Sequence, residues 1–246
     1  MNLIVDIGNS QVKVALYEQG EFVAECSAAT ISEDLVTYLL AGRTPSQAIV
    51  SSTRGDISDV VTLLHRICPR VLSFDYKTPV PIANIYQTPE TLGSDRLAAA
   101  VGAITQYPDR NILIVDFGTA LTVDLVTADK TFCGGCISPG LNMRFRALHD
   151  YTARLPLCGP DEEDALLGDT TKSAIQCGVM HSMIFEIEGY IARLQEKIDN
   201  LLIIFTGGDA KFFAKRIKNT IFADCNLVLC GLDRILEYNA LEKKFD

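Results

Sequence analysis

The feature that most constrains the fold is an internal repeat. Residues 3–16 read LIVDIGNSQVKVAL, and residues 113–125 read LIVDFGTALTVDL, with a single-residue gap after the glycine. Each segment begins with an apolar run suited to a buried strand, turns at Asp-x-Gly, and then alternates apolar and polar residues as a half-covered strand does. The repeat therefore predicts two β-hairpins, one opening each half of the chain.

The remainder of each half alternates strands with helices. In the first half, Ser32 is a suitable N-cap for a helix to about residue 42, and a strand at 48–52 precedes a helix beginning near Asp56. The second half predicts, in order, a strand near 131–137, helical segments over 171–198, a strand at 201–206 and a helix after Gly207 and Gly208. This pattern indicates an α/β fold built from two related domains.

A turn-forming segment separates the two halves. Residues 107–111 read YPDRN and lie between a predicted helix and the second hairpin. We therefore expect two domains, residues 1–108 and 109–246. Because the linker is short, they should pack closely with a central cleft between them.

Composition narrows the functional classes. The 246 residues carry a net charge of −9, which argues against sequence-independent nucleic-acid binding because such binding relies on Lys and Arg. No apolar run approaches the roughly 20 residues that cross a bilayer, and no positive charge precedes the short apolar run at the amino terminus. We expect a cytoplasmic protein that binds neither nucleic acid nor membranes.

The eight cysteines indicate free thiols. They are scattered along the chain, so reduced and mostly buried side chains are expected rather than a disulfide framework. Cys133 and Cys136 form a C-x-x-C pair, but no second pair completes the four ligands of a structural zinc site. We expect them to flank a tight turn at Gly134 and Gly135.

The hairpins carry residues suited to binding phosphate. Backbone N–H groups in glycine-containing turns, a cation and a metal-binding carboxylate are the usual phosphate ligands. The first hairpin supplies Asp6, Gly8, Asn9, Ser10 and Lys13, and the second supplies Asp116, Gly118 and Thr119. A third glycine element, residues 206–209, fits either a turn beside adenosine or a helix-start loop without a ligand.

Four motifs in order give the sequence a specific resemblance. They are D-x-G-N-[ST] at 6–10, G-x-D-R at 93–96 before an alanine-rich helix, D-x-G-T-A at 116–120, and G-G-x-I-x-P-G-L at 134–141. Together they resemble type III pantothenate kinase over almost the whole chain. The repeated α/β core itself resembles the acetate and sugar kinase, Hsp70 and actin superfamily, which implies tandem duplicated actin-like (ribonuclease H-like) domains.

The resemblance implies a reaction and a set of site residues. The reaction is ATP-dependent phosphorylation of pantothenate to 4′-phosphopantothenate, the first step of coenzyme A biosynthesis, by a homodimer. Asp95 is implied as the catalytic base, and Asp116 as the ligand of a monovalent cation, K⁺ or NH₄⁺. The implied ATP site comprises Asp6, Ile7, Gly8, Asn9, Ser10, Gln11, Val12, Lys13 and Thr119, with Asp6 nearest Mg²⁺; the implied pantothenate site comprises Tyr86, Gly93, Ser94, Asp95, Arg96 and Thr171.

Simpler readings of the same residues stay open at this point. Asp95 and Arg96 could be a helix-terminal charge and a surface ion pair, Thr171 a helix cap, and Tyr86 a loop aromatic that covers the core. Two alternative functions also stay open. One is another small-molecule or sugar kinase of the superfamily, and the other is a nucleotide-switched actin-like protein, although such proteins are usually much longer than this chain.

Overall fold

The computed structural model describes residues 1–162, 165–218, 221–222 and 227–241. Packing groups the chain into two compact units. Unit 1 comprises Met1–Asp109, Val126–Gly134 and Cys225–Asp246, and unit 2 comprises Arg110–Leu125 and Gly135–Asp224. Because unit 1 also includes two later segments, this grouping differs from the continuous pair 1–108 and 109–246, and that domain division stays a prediction.

Strands and helices alternate along the chain as an α/β fold requires. The strands are β1 Asn2–Ile7, β2 Val12–Glu18, β3 Glu21–Ala28, β4 Gln47–Ser52, β5 Val71–Ser73, β6 Ala83–Asn84, β7 Ile112–Phe117, β8 Ala120–Val126, β9 Thr131–Pro139, β10 Leu202–Thr206 and β11 Ile221–Phe222. The helices are α1 Glu33–Leu40, α2 Ser58–Ile67, α3 Ser94–Gln106, α4 Leu141–Asp150, α5 Thr171–Gln195, α6 Ala210–Ala214 and α7 Leu227–Leu241.

The first sheet has the strand order β3-β2-β1-β4-β5. Strand β1 pairs antiparallel with β2 and parallel with β4, so the predicted hairpin is confirmed and lies at the centre of the sheet. All six residues of β1 are buried, because apolar residues from α1 and the neighbouring strands cover it. The central position brings the end of β1, which carries Asp6, next to the ends of β2 and β4.

The second sheet has the order β11-β10-β7-β8-β9-β6. The second hairpin is confirmed as β7 and β8, and β7 pairs in parallel with β10, matching Asp116 to Thr206. Aromatic side chains hold this region, since the Phe117 ring stacks on Phe213 at 4.7 Å and contacts Phe205 edge-on at 4.9 Å between ring centroids. This packing fixes the end of β7, the position of Asp116.

Helices α3 and α7 pack so closely that their main chains are in contact. A Cβ atom on Gly102 would lie 2.1 Å from the Leu227 carbonyl oxygen, and one on Gly231 would lie 1.8 Å from that of Ala98. Only glycine permits this approach, because any side chain would overlap main-chain atoms. The close contact fixes α3, the helix that begins at the G-x-D-R motif.

Two expectations about cysteine are wrong. Cys133 and Cys136 lie inside strand β9 and are exposed, so they do not flank a tight turn. Among the cysteines that the structure describes, all are free as expected, but just Cys68 and Cys177 are buried. Within the described ranges, no helix combines the length and apolar character needed to span a bilayer.

Candidate active site

Asp6 is a buried carboxylate at the end of a central strand. Its exposed fraction is 8%, and its Oδ1 atom has no hydrogen-bond partner within the described part of the chain. Burial raises the pKa of Asp6 to about 6, with Asp95 adding to the rise and Lys13 opposing it. A buried carboxylate oxygen without a partner is rare in folded proteins, and it suits a site whose ligand is a cation.

The turn after Asp6 is open to a ligand. The Gly8 N–H donates to the Gln11 carbonyl oxygen at 3.1 Å, and Asn9, Ser10 and Gln11 are exposed. A Cβ atom on Gly8 would meet that same oxygen at 3.4 Å, an ordinary contact, so the turn itself does not require glycine. The open space beside Gly8 therefore fits close approach by a phosphate.

Three other members of the predicted ATP site differ in their accessibility. Ile7 and Val12 are buried in the core, so just their backbones could meet a nucleotide. Lys13 is half-buried and lies directly opposite Asp6 in the antiparallel register of β1 and β2. Its ammonium group therefore lies where it can balance charge at the Asp6 end of the strand.

Asp95 lies in the first turn of α3. Its Oδ1 atom accepts a hydrogen bond from the Arg96 N–H at 2.8 Å. Gly93 precedes the helix, and a Cβ atom there would lie 2.5 Å from the Asp95 Oδ1 atom. Because Asp95 contributes to the raised pKa of Asp6, the two carboxylates are within electrostatic reach. The structure thus brings Asp95 near Asp6 and Lys13 of the first hairpin, although Asp95 is far from both in sequence.

Arg96 and Tyr86 are also neighbours. The Arg96 guanidinium lies 5.7 Å from the centre of the Tyr86 ring, within the range of a cation–π interaction. Arg96 is 6% exposed, so the alternative reading of a surface ion pair does not fit it. The Tyr86 ring in turn packs beside Phe132, with 6.4 Å between ring centroids. Two of the expected substrate residues therefore adjoin each other in unit 1.

Asp116 lies in unit 2, where two glycines approach the second turn closely. A Cβ atom on Gly207 would lie 2.3 Å from the Asp116 Oδ1 atom, and Gly207 has a φ of 93°. A Cβ atom on Gly140 would lie 2.4 Å from the carbonyl oxygens of Gly118 and Thr119. The carboxylate is thus set among closely spaced backbone groups. Burial also raises the pKa of nearby Asp209.

The glycines of the G-G-x-I-x-P-G-L motif have identifiable structural roles. Gly134 has a φ of 91°, and a Cβ atom there would lie 3.2 Å from the Tyr86 ring. A Cβ atom on Gly135 would lie 2.0 Å from the Val123 carbonyl oxygen. These glycines let strand β9 approach its neighbours. The sequence analysis had instead expected them to form a tight turn.

Thr171 is the first residue of α5, and Thr170 is the cap. The Thr170 side chain accepts a hydrogen bond from the Ser173 N–H at 3.1 Å, which completes a capping box. Thr171 itself is exposed and lines a groove of about 880 Å³ within unit 2, between α4 and α5. The helix-cap reading thus belongs to Thr170, while Thr171 is available for a ligand.

One contact at the site was missed by sequence reasoning. The Oγ atoms of Ser51 and Ser94 lie 2.8 Å apart, joining strand β4 to the first residue of α3. Ser51 lies in a strand predicted at 48–52, but no local sequence pattern indicates which residue of that strand contacts a helix beginning 43 residues later. The parallel register of β1 and β4 supplies that information.

Solved structures share this architecture across almost the whole chain. A Campylobacter jejuni protein described as a candidate transcriptional activator of the Baf family has a TM-score of 0.64 at 20% identity, covering 97% of this chain and 99% of its own. An activator of 2-hydroxyisocaproyl-CoA dehydratase from Clostridium difficile, solved with bound ADPNP, has a TM-score of 0.58 at 11% identity, covering 99% and 96%. A Listeria monocytogenes protein described as a candidate N-acetylmannosamine kinase has a TM-score of 0.55 at 12% identity, covering 97% and 99%.

These likenesses define the class: the chain has the two-domain α/β fold of the actin-like ATPases and sugar kinases, as predicted. Closer relatives give the family. The family model described as type III pantothenate kinase matches residues 2–193. Proteins named type III pantothenate kinase from Phocaeicola vulgatus and Bacteroides fragilis are 43% and 42% identical, each covering 97% of this chain and 99% or 98% of the relative. The chain belongs to the type III pantothenate kinase family.

Proposed function

We propose that this protein transfers the γ-phosphoryl group of ATP to the primary hydroxyl of pantothenate, giving 4′-phosphopantothenate and ADP. This is the first step of coenzyme A biosynthesis. Family membership over nearly the full chain supports the assignment. The single structural observation that carries it is the placement of Asp95 near Asp6, through Ser51 opposite Asp6 and 2.8 Å from Ser94, with buried Arg96 next to Asp95.

Asp95 is the proposed base. Its carboxylate accepts the proton of the pantothenate hydroxyl as that oxygen bonds to the γ-phosphorus and the bond to the ADP oxygen breaks. Arg96 pairs with the carboxylate of pantothenate, since a guanidinium matches a carboxylate through two hydrogen bonds. Tyr86 holds Arg96 in place, and Gly93, Ser94 and Thr171 complete the proposed acceptor site.

The ATP site is proposed at the first hairpin turn together with Thr119. The exposed turn of Asn9, Ser10 and Gln11 meets the phosphates, and Lys13 adds a positive charge. Asp6 fits Mg²⁺ because its Oδ1 atom is buried without a partner, and this ion prefers one or two carboxylates plus phosphate oxygens. Bound there, the ion would neutralise charge on the phosphates. Within the described residues, no group of three His, Cys, Asp or Glu suggests another metal site.

Asp116 is the proposed ligand of a monovalent cation. K⁺ and NH₄⁺ take oxygen ligands, and this carboxylate lies beside the backbone approached by Gly207. A cation bound there would offset negative charge that gathers on the phosphates during transfer. We further propose that the protein acts as a cytoplasmic homodimer whose partners are pantothenate and ATP, without nucleic acid or membrane.

The test is coupled ADP release with pantothenate, pantetheine and a set of sugars as alternative acceptors. We expect ADP release to require pantothenate, and Asp95→Asn to lower kcat by roughly 10²–10⁴-fold while ATP still binds. Release that depends on a sugar instead would favour the sugar-kinase alternative. Release without any acceptor would favour a nucleotide-switched protein.

A further inference from the structure

We propose that Ser51 is a positioning residue for phosphoryl transfer, acting through its hydrogen bond to Ser94 to hold Asp95 at a fixed place relative to Asp6. Ser51 itself touches neither substrate in this account. The expected change in kcat rests on the proposed function. The expected change in hydrogen exchange rests only on the geometry of unit 1.

Ser51 joins the two elements that carry the acidic residues. It lies opposite Asp6 in the parallel register of β4 and β1, and its side chain is fully buried. Its Oγ atom lies 2.8 Å from that of Ser94, the residue immediately before Asp95. A single hydrogen bond therefore links the strand pair bearing one carboxylate to the helix turn bearing the other.

The start of α3 depends on this link because its own capping is weak. Gly93 occupies the N-cap position and offers no side chain to this turn, although the Arg96 N–H donates to Asp95 Oδ1. The Leu97 N–H donates to the Gly93 carbonyl oxygen at 3.4 Å, a long hydrogen bond. The Ser51 hydroxyl thus anchors from the sheet a helix terminus that lacks an N-cap side chain.

The position of this turn sets where the Asp95 carboxylate lies, because Asp95 is in the first turn of α3 and directly follows Ser94. Displacing a catalytic group by about 1 Å can lower the rate by about 10²-fold, whereas one neutral hydrogen bond contributes little to overall stability. Loss of the link should therefore reduce turnover much more than it reduces stability.

The experiment compares Ser51→Ala, Ser94→Ala and the double variant with Ser52→Ala as a matched control. Ser52 is the next residue of the same strand, and its Oγ atom accepts a hydrogen bond from the exposed Arg54 N–H at 3.0 Å. We expect Ser51→Ala to lower kcat with pantothenate by roughly tenfold, with the KM for ATP within twofold of wild type. The double variant should be no slower than the slower single variant, since both remove one link. Ser52→Ala should match wild type.

A second readout does not use activity. Hydrogen exchange at the amides of the first turn of α3, including Arg96 and Leu97, should be faster in Ser51→Ala and unchanged in Ser52→Ala. An inactive wild type would refute the proposed function, and the exchange rates would still decide the positioning role. Unchanged exchange in Ser51→Ala, a kcat within twofold of wild type, or losses that add in the double variant would each overturn the inference. If Ser51→Ala fails to fold, Ser94→Ala is judged by hydrogen exchange alone, because Ser94 also belongs to the proposed acceptor site; unchanged exchange there would overturn the inference.

Discussion

Removing the charge of Asp233 should stabilise this protein at neutral pH. Asp233 lies on α7 with 4% of its surface exposed, next to Glu237 one helical turn further on. The Asn2 side-chain amide donates to both carboxylates, to Asp233 Oδ1 at 2.7 Å and to Glu237 Oε1 at 2.6 Å. The Asn2 amide thus serves both acids, and Glu237 also accepts a hydrogen bond from the Gln47 side chain at 3.0 Å.

The magnitude follows from the pKa of Asp233. Burial raises this pKa from 3.8 to about 6, the hydrogen bond from Asn2 lowers it, and Glu237 raises it further. The folded protein therefore keeps the proton over a range in which the unfolded chain releases it, so stability falls as the pH rises from about 4 to about 6. At about 1.4 kcal/mol for each pKa unit, the full cost above that window is about 3 kcal/mol.

Asp233→Asn keeps the shape and can still accept the hydrogen bond from Asn2. We expect its free energy of unfolding to exceed that of wild type by about 1–3 kcal/mol at pH 7.5, and the two proteins to agree within about 0.5 kcal/mol at pH 4. Urea denaturation followed by circular dichroism at a series of pH values measures the difference, with the exposed Glu25→Gln as the control. A variant that is no more stable at pH 7.5, or whose added stability is the same at every pH, would show that the buried charge of Asp233 does not destabilise the fold.

Three further predictions follow from individual contacts. Gly8→Ala should unfold like wild type, because its Cβ atom has room, yet weaken ATP use at least tenfold in initial-rate measurements; normal ATP use would show that phosphate does not approach Gly8. Gly102→Ala should lower the free energy of unfolding by about 2–4 kcal/mol, because its Cβ atom would overlap the Leu227 carbonyl. Gly189→Ala is the control, since a Cβ atom there has nothing within 4 Å. Equal losses of stability in the two variants would contradict the close packing of α3 and α7. Asp116→Asn should reduce the preference for potassium or ammonium over sodium in initial rates at matched ionic strength; equal wild-type rates in the three salts would remove the cation site.

The sequence predicted the parts of the fold that depend on local pattern. The repeated Asp-x-Gly hairpins became β1–β2 and β7–β8, and Ser32 caps α1 as expected, its Oγ atom accepting from the Leu35 N–H at 3.2 Å. Apolar runs and caps act within a few residues, so they can be read from a single chain. The α/β class was confirmed for the same reason.

Features that depend on distant contacts could not be read in this way. Gly134 and Gly135 looked like a turn, but they allow β9 to approach Tyr86 and the Val123 carbonyl, which no local pattern records. The pairing of Ser51 with Ser94 likewise depends on the register of β4 beside β1. The site residues themselves came from ordered motifs and a family resemblance, and their catalytic roles stay predictions.

Direct detection of the product tests the central claim. Purified protein is incubated with ATP, Mg²⁺, potassium and pantothenate, and the mixture is analysed by mass spectrometry for 4′-phosphopantothenate alongside ADP. We expect the two products to form in equal amounts with wild type, and Asp95→Asn to form them at least a hundredfold more slowly. Phosphopantothenate formation at the wild-type rate by Asp95→Asn would contradict the role of Asp95, and its absence with active wild-type ATP turnover would contradict the proposed function.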